Sequence, residues 1–161
     1  MANDVSIHSN TIENTPALSN NFASFKIFSL SDFFLGRKPS KVNLEDGFEA
    51  EDLKVIVNAY KPESATIVAY AKVLSPDDSA SFDDRDYILL EQETPASSHS
   101  LNEDDYREYI FKSSGDSIDY TDDNGTNYKK FKTFAVKLAL LSTSTTNVPK
   151  VSDLRAIALD E

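Results

Sequence analysis

The sequence predicts an all-β protein: an antiparallel β-sandwich, jelly-roll-like, with a flexible N-terminal arm. Three observations lead there. The run from Tyr128 to Ser142 alternates at period two, with Phe134, Val136, Leu138 and Leu140 on one face and Thr133, Ala135, Lys137 and Ala139 on the other. That is the mark of a long, half-buried strand. Two further runs, Leu53–Tyr60 and Thr66–Leu74, are apolar and rich in β-branched residues, which suit a pleated, covered surface. Turn signals punctuate the chain at irregular intervals of roughly 8–15 residues, the rhythm of a sandwich of about seven strands.

Taken in order, residues 1–21 are polar and rich in Asn, Ser and Thr, and read as a flexible arm or a segment ordered only by a partner. Residues 22–161 form the single β-sandwich domain. Its first stretch is an aromatic block, Phe22, Phe25, Phe28, Phe33 and Phe34 with Ile27, Leu30 and Leu35. A strand near 24–30 fits it. These rings either pack into the core or form an apolar interface for a neighbouring subunit. Gly36, Pro39 and Gly47 mark a loop over 36–51.

Leu53–Tyr60 and Thr66–Leu74 follow, joined by Lys61-Pro-Glu-Ser-Ala65. A link this short predicts an antiparallel hairpin. The acidic loop Ser75–Asp86 leads to a short strand at 87–91, and a turn-rich link leads to a strand at 106–112. There Tyr106 and Ile110 share one face, and Tyr109 and Phe111 the other. A helical turn at 102–109, capped by Asn102, is the alternative. Asn124-Gly125 is the dipeptide favoured in type I′ hairpins. The long strand at 128–142 leaves that turn, and Val151–Leu159 gives the last strand, with Val151, Leu154, Ile157 and Leu159 as its apolar residues.

Bulk properties narrow the function. The net charge is −11 and the pI about 4.6, so the surface repels phosphate backbones and nucleic acid is not an expected partner. No apolar run approaches the roughly 20 residues that span a bilayer, and the N-terminus lacks a basic region followed by an apolar core. There is no Cys, which removes disulfides, zinc–thiolate sites and cysteine nucleophiles together.

No catalytic constellation stands out. Asp77-Asp78, Asp83-Asp84, Asp86, Asp104-Asp105 and Asp122-Asp123 fall in predicted loops, where solvated acid is the plain reading. A loose calcium site around Asp77, Asp83 and Asp86 is the sharper one. Asp122-Asp-Asn-Gly-Thr126 resembles part of an EF-hand loop. Placing Gly125 sixth puts Tyr120 first and Phe131 twelfth, where carboxylates are needed. His8 and His99 lack positioned partners for a metal or a triad. Four glycines, at 36, 47, 115 and 125, cannot supply a nucleotide motif. No catalytic, metal or cofactor site is expected. Tyr60, Tyr70 and Tyr87, if exposed, could line a sugar-binding face.

Two stretches carry a resemblance. One is Asp52 to Leu74 (Asp-Leu-Lys-Val-Ile-Val-Asn-Ala-Tyr-Lys-Pro-Glu-Ser-Ala-Thr-Ile-Val-Ala-Tyr-Ala-Lys-Val-Leu), followed by Asp77-Asp-Ser and Phe82-Asp-Asp-Arg-Asp-Tyr87. The other is Tyr128-Lys-Lys-Phe-Lys-Thr-Phe-Ala-Val-Lys-Leu138 through Val148-Pro-Lys-Val-Ser-Asp-Leu-Arg-Ala-Ile-Ala-Leu159. Together, over roughly residues 50–159, they resemble a domain of virion structural proteins of tailed phages, especially T4-like phages of marine cyanobacteria. The resemblance implies a non-enzymatic building block of tail, baseplate or fibre, made in the host cytoplasm and located in the virion. The partners it implies are other virion proteins and further copies of itself. It carries over no active site. A carbohydrate-binding sandwich used in host attachment is the alternative.

Overall fold

The computed structural model describes residues 41–160 in full and the backbone of residues 3–8 and 24–29. Among the described residues there are eleven strands: β1 Asn3–His8, β2 Ser24–Ser29, β3 Val42–Asn43, β4 Asp52–Tyr60, β5 Ala65–Leu74, β6 Ile88–Gln92, β7 Arg107–Lys112, β8 Tyr120–Thr121, β9 Asn127–Tyr128, β10 Thr133–Ser142 and β11 Lys150–Leu159. A 3-10 turn at Phe82–Asp84 is capped by the Ser81 hydroxyl, which accepts from Asp83 N–H.

The expected alternation becomes the core. Leu53, Val55, Val57 and Ala59 of β4, Ile67, Ala69, Ala71 and Val73 of β5, and Phe134, Val136, Leu138 and Leu140 of β10 are buried. They join Tyr109 and Phe111 of β7 and Val151, Leu154, Ala156 and Ala158 of β11 in one cluster. Each large side chain removed from water contributes about 1.5–3 kcal/mol.

Hydrogen bonds link the strands in the order β1-β11-β4-β7-β6-β5-β10-β2, all antiparallel, with β3 beside β10 and β8–β9 as a separate ribbon. The path folds at β6. Its first half pairs with β5 (Ile88–Leu90) and its end with β7 (Glu91–Gln92). If the eight principal strands are counted from one to eight along the chain, the two sheets read 1-8-3-6 and 2-7-4-5. That is the double Greek key of a jelly roll. Because the path folds in its middle, its two ends, β1 and β2, fall on the same edge of the sandwich.

Several details depart from the sequence reading. The link 61–64 does not close a hairpin: β4 pairs with β11 and β7, whereas β5 pairs with β10 and β6. The backbone of Lys61 turns instead to Ser100, donating to its hydroxyl (2.9 Å) and accepting from its N–H (2.8 Å). The chain thereby crosses from one sheet to the other. The long strand expected at 128–142 is broken after Tyr128. Phe131, fully buried, bridges to Ala50 through two backbone hydrogen bonds before β10 begins. The helical alternative at 102–109 stops at a turn, in which Asn102 accepts from Asp104 and Asp105 N–H, and β7 follows.

In β11 the inward residues are Ala156 and Ala158, with Ile157 and Leu159 half-exposed. A bulge between Val151 and Asp153 shifts the phase, so that both Val151 and Leu154 face the core and Asp153 does not. Of the polar arm, the described part, Asn3–His8, is a strand paired with β11; the rest of residues 1–21 lies outside the described residues.

The β8–β9 hairpin also sits one residue away from expectation. Asp122 C=O accepts from Gly125 N–H (3.0 Å), and Asp122 N–H donates to Thr126 C=O (3.0 Å). Asp123 and Asn124 therefore occupy the turn centre, and Gly125 follows at φ +84°, the type I turn with a glycine bulge. Nothing lies within 4 Å of a Cβ built there, so the only cost of a side chain is the left-handed backbone. Gly125→Ala is expected to destabilise by about 1 kcal/mol in urea denaturation. Gly115→Ala, with open space and no positive φ, is the control and should stay within about 0.5 kcal/mol.

Candidate functional site

The residues singled out in the sequence separate into three groups. Phe22, Phe33 and Phe34 lie outside the described residues. Phe25 and Phe28 fall on β2, at the register positions opposite Leu141 and Leu138 of β10. Of the tyrosines, Tyr60 is buried beneath the β11 end, with the Lys150 ammonium 5.8 Å from its ring centre.

Tyr70 and Tyr87 are half-exposed on the outer face of the β5–β10 sheet. Tyr70 stands directly opposite Lys137 on one side and Leu89 on the other. The Lys137 ammonium lies 5.8 Å from the Tyr70 ring centre and 4.8 Å from that of Tyr87. Lys72 lies 4.8 Å from the Tyr87 ring and donates to Asp83 C=O. These cation–π contacts engage the rings with the chain's own ammonium groups. Leu89, 55% exposed, completes an apolar and basic strip on an otherwise acidic molecule.

The acids act mainly as loop braces. The Asp122 carboxylate accepts from the N–H groups of Asn124 and Thr126, and these bonds hold it below the usual carboxylate range. It closes the 122–126 hairpin, the segment whose residues resemble part of an EF-hand loop. Among the described residues no group of three or more His, Cys, Asp or Glu is arranged to hold a metal. His99 is exposed, with Nδ1 2.9 Å from Ser97 C=O. His8 occupies the β1 position opposite Asp153.

Two polar clusters are visible only in three dimensions. Asp78, almost fully buried, accepts from Ala80 N–H and from the Tyr120 hydroxyl (2.8 Å), and stands 3.4 Å from Arg85 Nε. Tyr120 in turn accepts from Ser75 N–H (2.9 Å), stacks on Tyr128 and lies under the Arg85 guanidinium. This cluster ties the 75–86 loop to the β8–β9 ribbon. Above it, Asp84, Asp86 and Asp123 rim a cleft of about 160 Å³ with Arg85 and Thr121. In the second cluster the buried Lys61 ammonium donates to Ala96 and Ser98 C=O (3.1 and 2.8 Å) and faces the Tyr109 ring. Burial lowers its pKa. Two of its three donors go to the 95–100 loop, which they brace.

Tyr120 gives a measurable signature. Burial, reinforced by Asp78, pushes its phenol up to about 12, against the opposing Ser75 N–H bond. The folded pKa exceeds the unfolded value near 10, so the folded state holds this proton longer. The associated stability is complete below about pH 10 and is lost as pH rises toward 12. Burial also raises Tyr109 and Tyr128, so absorbance at 295 nm should show a high-pH ionisation that Tyr120→Phe reduces by one phenol near pH 12. An unchanged high-pH step in the variant would refute the assignment.

What the geometry offers is surface and edge. The β5–β10 face presents the Leu89–Tyr70–Lys137 strip, and the sandwich edge is formed by β1 and β2. Compared with known proteins, the chain matches no protein-family model, no curated protein and no solved structure.

Proposed function

We propose that this chain is a non-enzymatic structural component of a phage virion, of the tail, baseplate or fibre, acting as a protein–protein assembly module made in the host cytoplasm. The observation that carries the reading is where the strand path ends. Both terminal strands, β1 and β2, come from the first 29 residues, which also hold Phe22, Phe25 and Phe28 of the aromatic block. Strand edges present unpaired backbone groups and are natural sites of association. The resemblance over residues 50–159 supports the same reading. The residues that carry it include Leu53, Val55, Val57, Phe134 and Val136, which are core residues suited to a scaffold. Other virion proteins and further copies of this chain are the proposed partners, in a symmetric arrangement.

The glycan-binding alternative draws less support. The lysines over Tyr70 and Tyr87 take up ring faces on which a sugar would stack, and Tyr60 is buried.

Light scattering after size exclusion, over a concentration series, tests the proposal. A discrete trimer or larger ring is expected, and a strict monomer near 18 kDa at every concentration would count against self-assembly. Deleting residues 1–21 should leave a β-rich circular dichroism spectrum while lowering the assembled fraction. Equal assembly by the truncated chain would remove the arm from the contact.

A further inference from the structure

We propose that copies of this chain assemble by strand exchange: the edge of β10 is covered by residues 24–29, and that of β11 by residues 3–8, of a second copy. The inference rests on the assembly reading above and specifies its contact.

Three observations carry it. The first is the edge itself. β10 and β11 are ten-residue strands, each paired along its length on one side by β5 or β4. On the other side each is paired by a six-residue N-terminal strand. Remove those two strands, and two ten-residue strands stand open along one edge, β10 keeping there only its two-residue pairing with β3. A second copy has the complementary strands to fill them.

The second is register. On β1, Val5 and Ile7 stand opposite Ala156 and Leu154, which are buried, while Asp4, Ser6 and His8 stand opposite Ile157, Arg155 and Asp153, which are not. On β2, Phe28 stands opposite the buried Leu138 but Lys26 opposite the buried Leu140, so the match in phase lies on β1. The alternation of Asp4-Val-Ser-Ile-His8 therefore matches that of β11. A one-residue slip would set it out of phase, so the template selects this segment whichever copy supplies it.

The third is chain length. Ser29 pairs opposite Lys137 and Val42 opposite Phe134, three positions apart on β10, or about 10 Å. Residues 30–41 join them and could extend about 40 Å. Residues 9–23 join His8 to Ser24 and could extend about 50 Å, whereas stacked sheets lie only about 10 Å apart. Both connections are several times longer than one subunit requires. That surplus lets the strands reach a neighbour, and the contacts made are the same in either arrangement, as in domain swapping.

The cysteine-free background allows a direct test on the full chain. Ser29 and Lys137 are register partners, and directly opposed residues in an antiparallel pair lie within disulfide reach. Chains carrying Ser29→Cys and Lys137→Cys are made separately, one with a mass tag, mixed in denaturant, refolded together and oxidised. Strand exchange predicts a covalent heterodimer on a non-reducing gel, above the level of each variant alone. It also predicts a covalent ladder from the double variant.

If the double variant yields only an internally cross-linked monomer, and the mixed chains yield no heterodimer, exchange is overturned. If neither form cross-links, the pairing of β2 with β10 is itself wrong and the proposal falls with it. Light scattering on the same samples separates the two claims. Oligomers with internal cross-links leave the assembly reading standing without exchange. Monomers with internal cross-links remove both.

Discussion

Phe134→Ala is expected to destabilise the protein by about 3–5 kcal/mol. Phe134 is fully buried on β10 and meets Phe131 edge-on, with ring centres 6.1 Å apart. Truncation loses the burial of the ring and leaves a cavity that cannot collapse easily. Its neighbours sit on strands fixed by pairing: Val73 opposite on β5 and Val42 on β3. Domains of this kind have only about 5–15 kcal/mol in total, so the melting temperature should fall by on the order of 10 °C. Leu89→Ala, at an exposed position, should change stability by no more than about 0.5 kcal/mol. Equal effects at the two positions would mean that β10 does not run through the core.

Asp78→Ala is expected to cost about 3 kcal/mol, because it leaves the half-covered Arg85 without its counter-charge and the Tyr120 hydroxyl without its acceptor. The decisive comparison is a double-mutant cycle. Arg85→Met in the Asp78→Ala background removes the stranded charge, so the double variant should be more stable than the sum of the two single losses predicts. Strict additivity in urea denaturation would show that the two side chains do not interact.

Much of the sandwich is legible in the sequence wherever one strand face is strongly apolar. The inward set of β10 is written as Phe134, Val136, Leu138 and Leu140, and that of β7 as Tyr109 and Phe111. Legibility fails where small residues carry the core. Ala156 and Ala158 face inward, whereas the larger Ile157 and Leu159 do not, because a single bulge changes the phase of β11. The pairing β4 with β11 joins residues about a hundred positions apart, so a short link between β4 and β5 looks like a hairpin although each strand is claimed by a distant partner. β1 looks like part of a polar arm in sequence because only Val5 and Ile7 of its six residues are apolar. Their alternation with Asp4, Ser6 and His8 is the signal that marks it. The Asp78–Tyr120 contact spans 42 residues and leaves no local trace.

The bulge in β11 has a further consequence for the edge beside it. β1 runs from Asn3 opposite Ala158 to His8 opposite Asp153 and ends there, at the residue where β11 leaves regular pairing. A bulge bends its strand and breaks the ladder, so this edge offers a template of fixed length. A strand laid along it, from the same molecule or another, reaches the bulge just beyond Asp153. The edge thus carries a mark at one end: it favours one short segment in one frame, stopping beside the bulge.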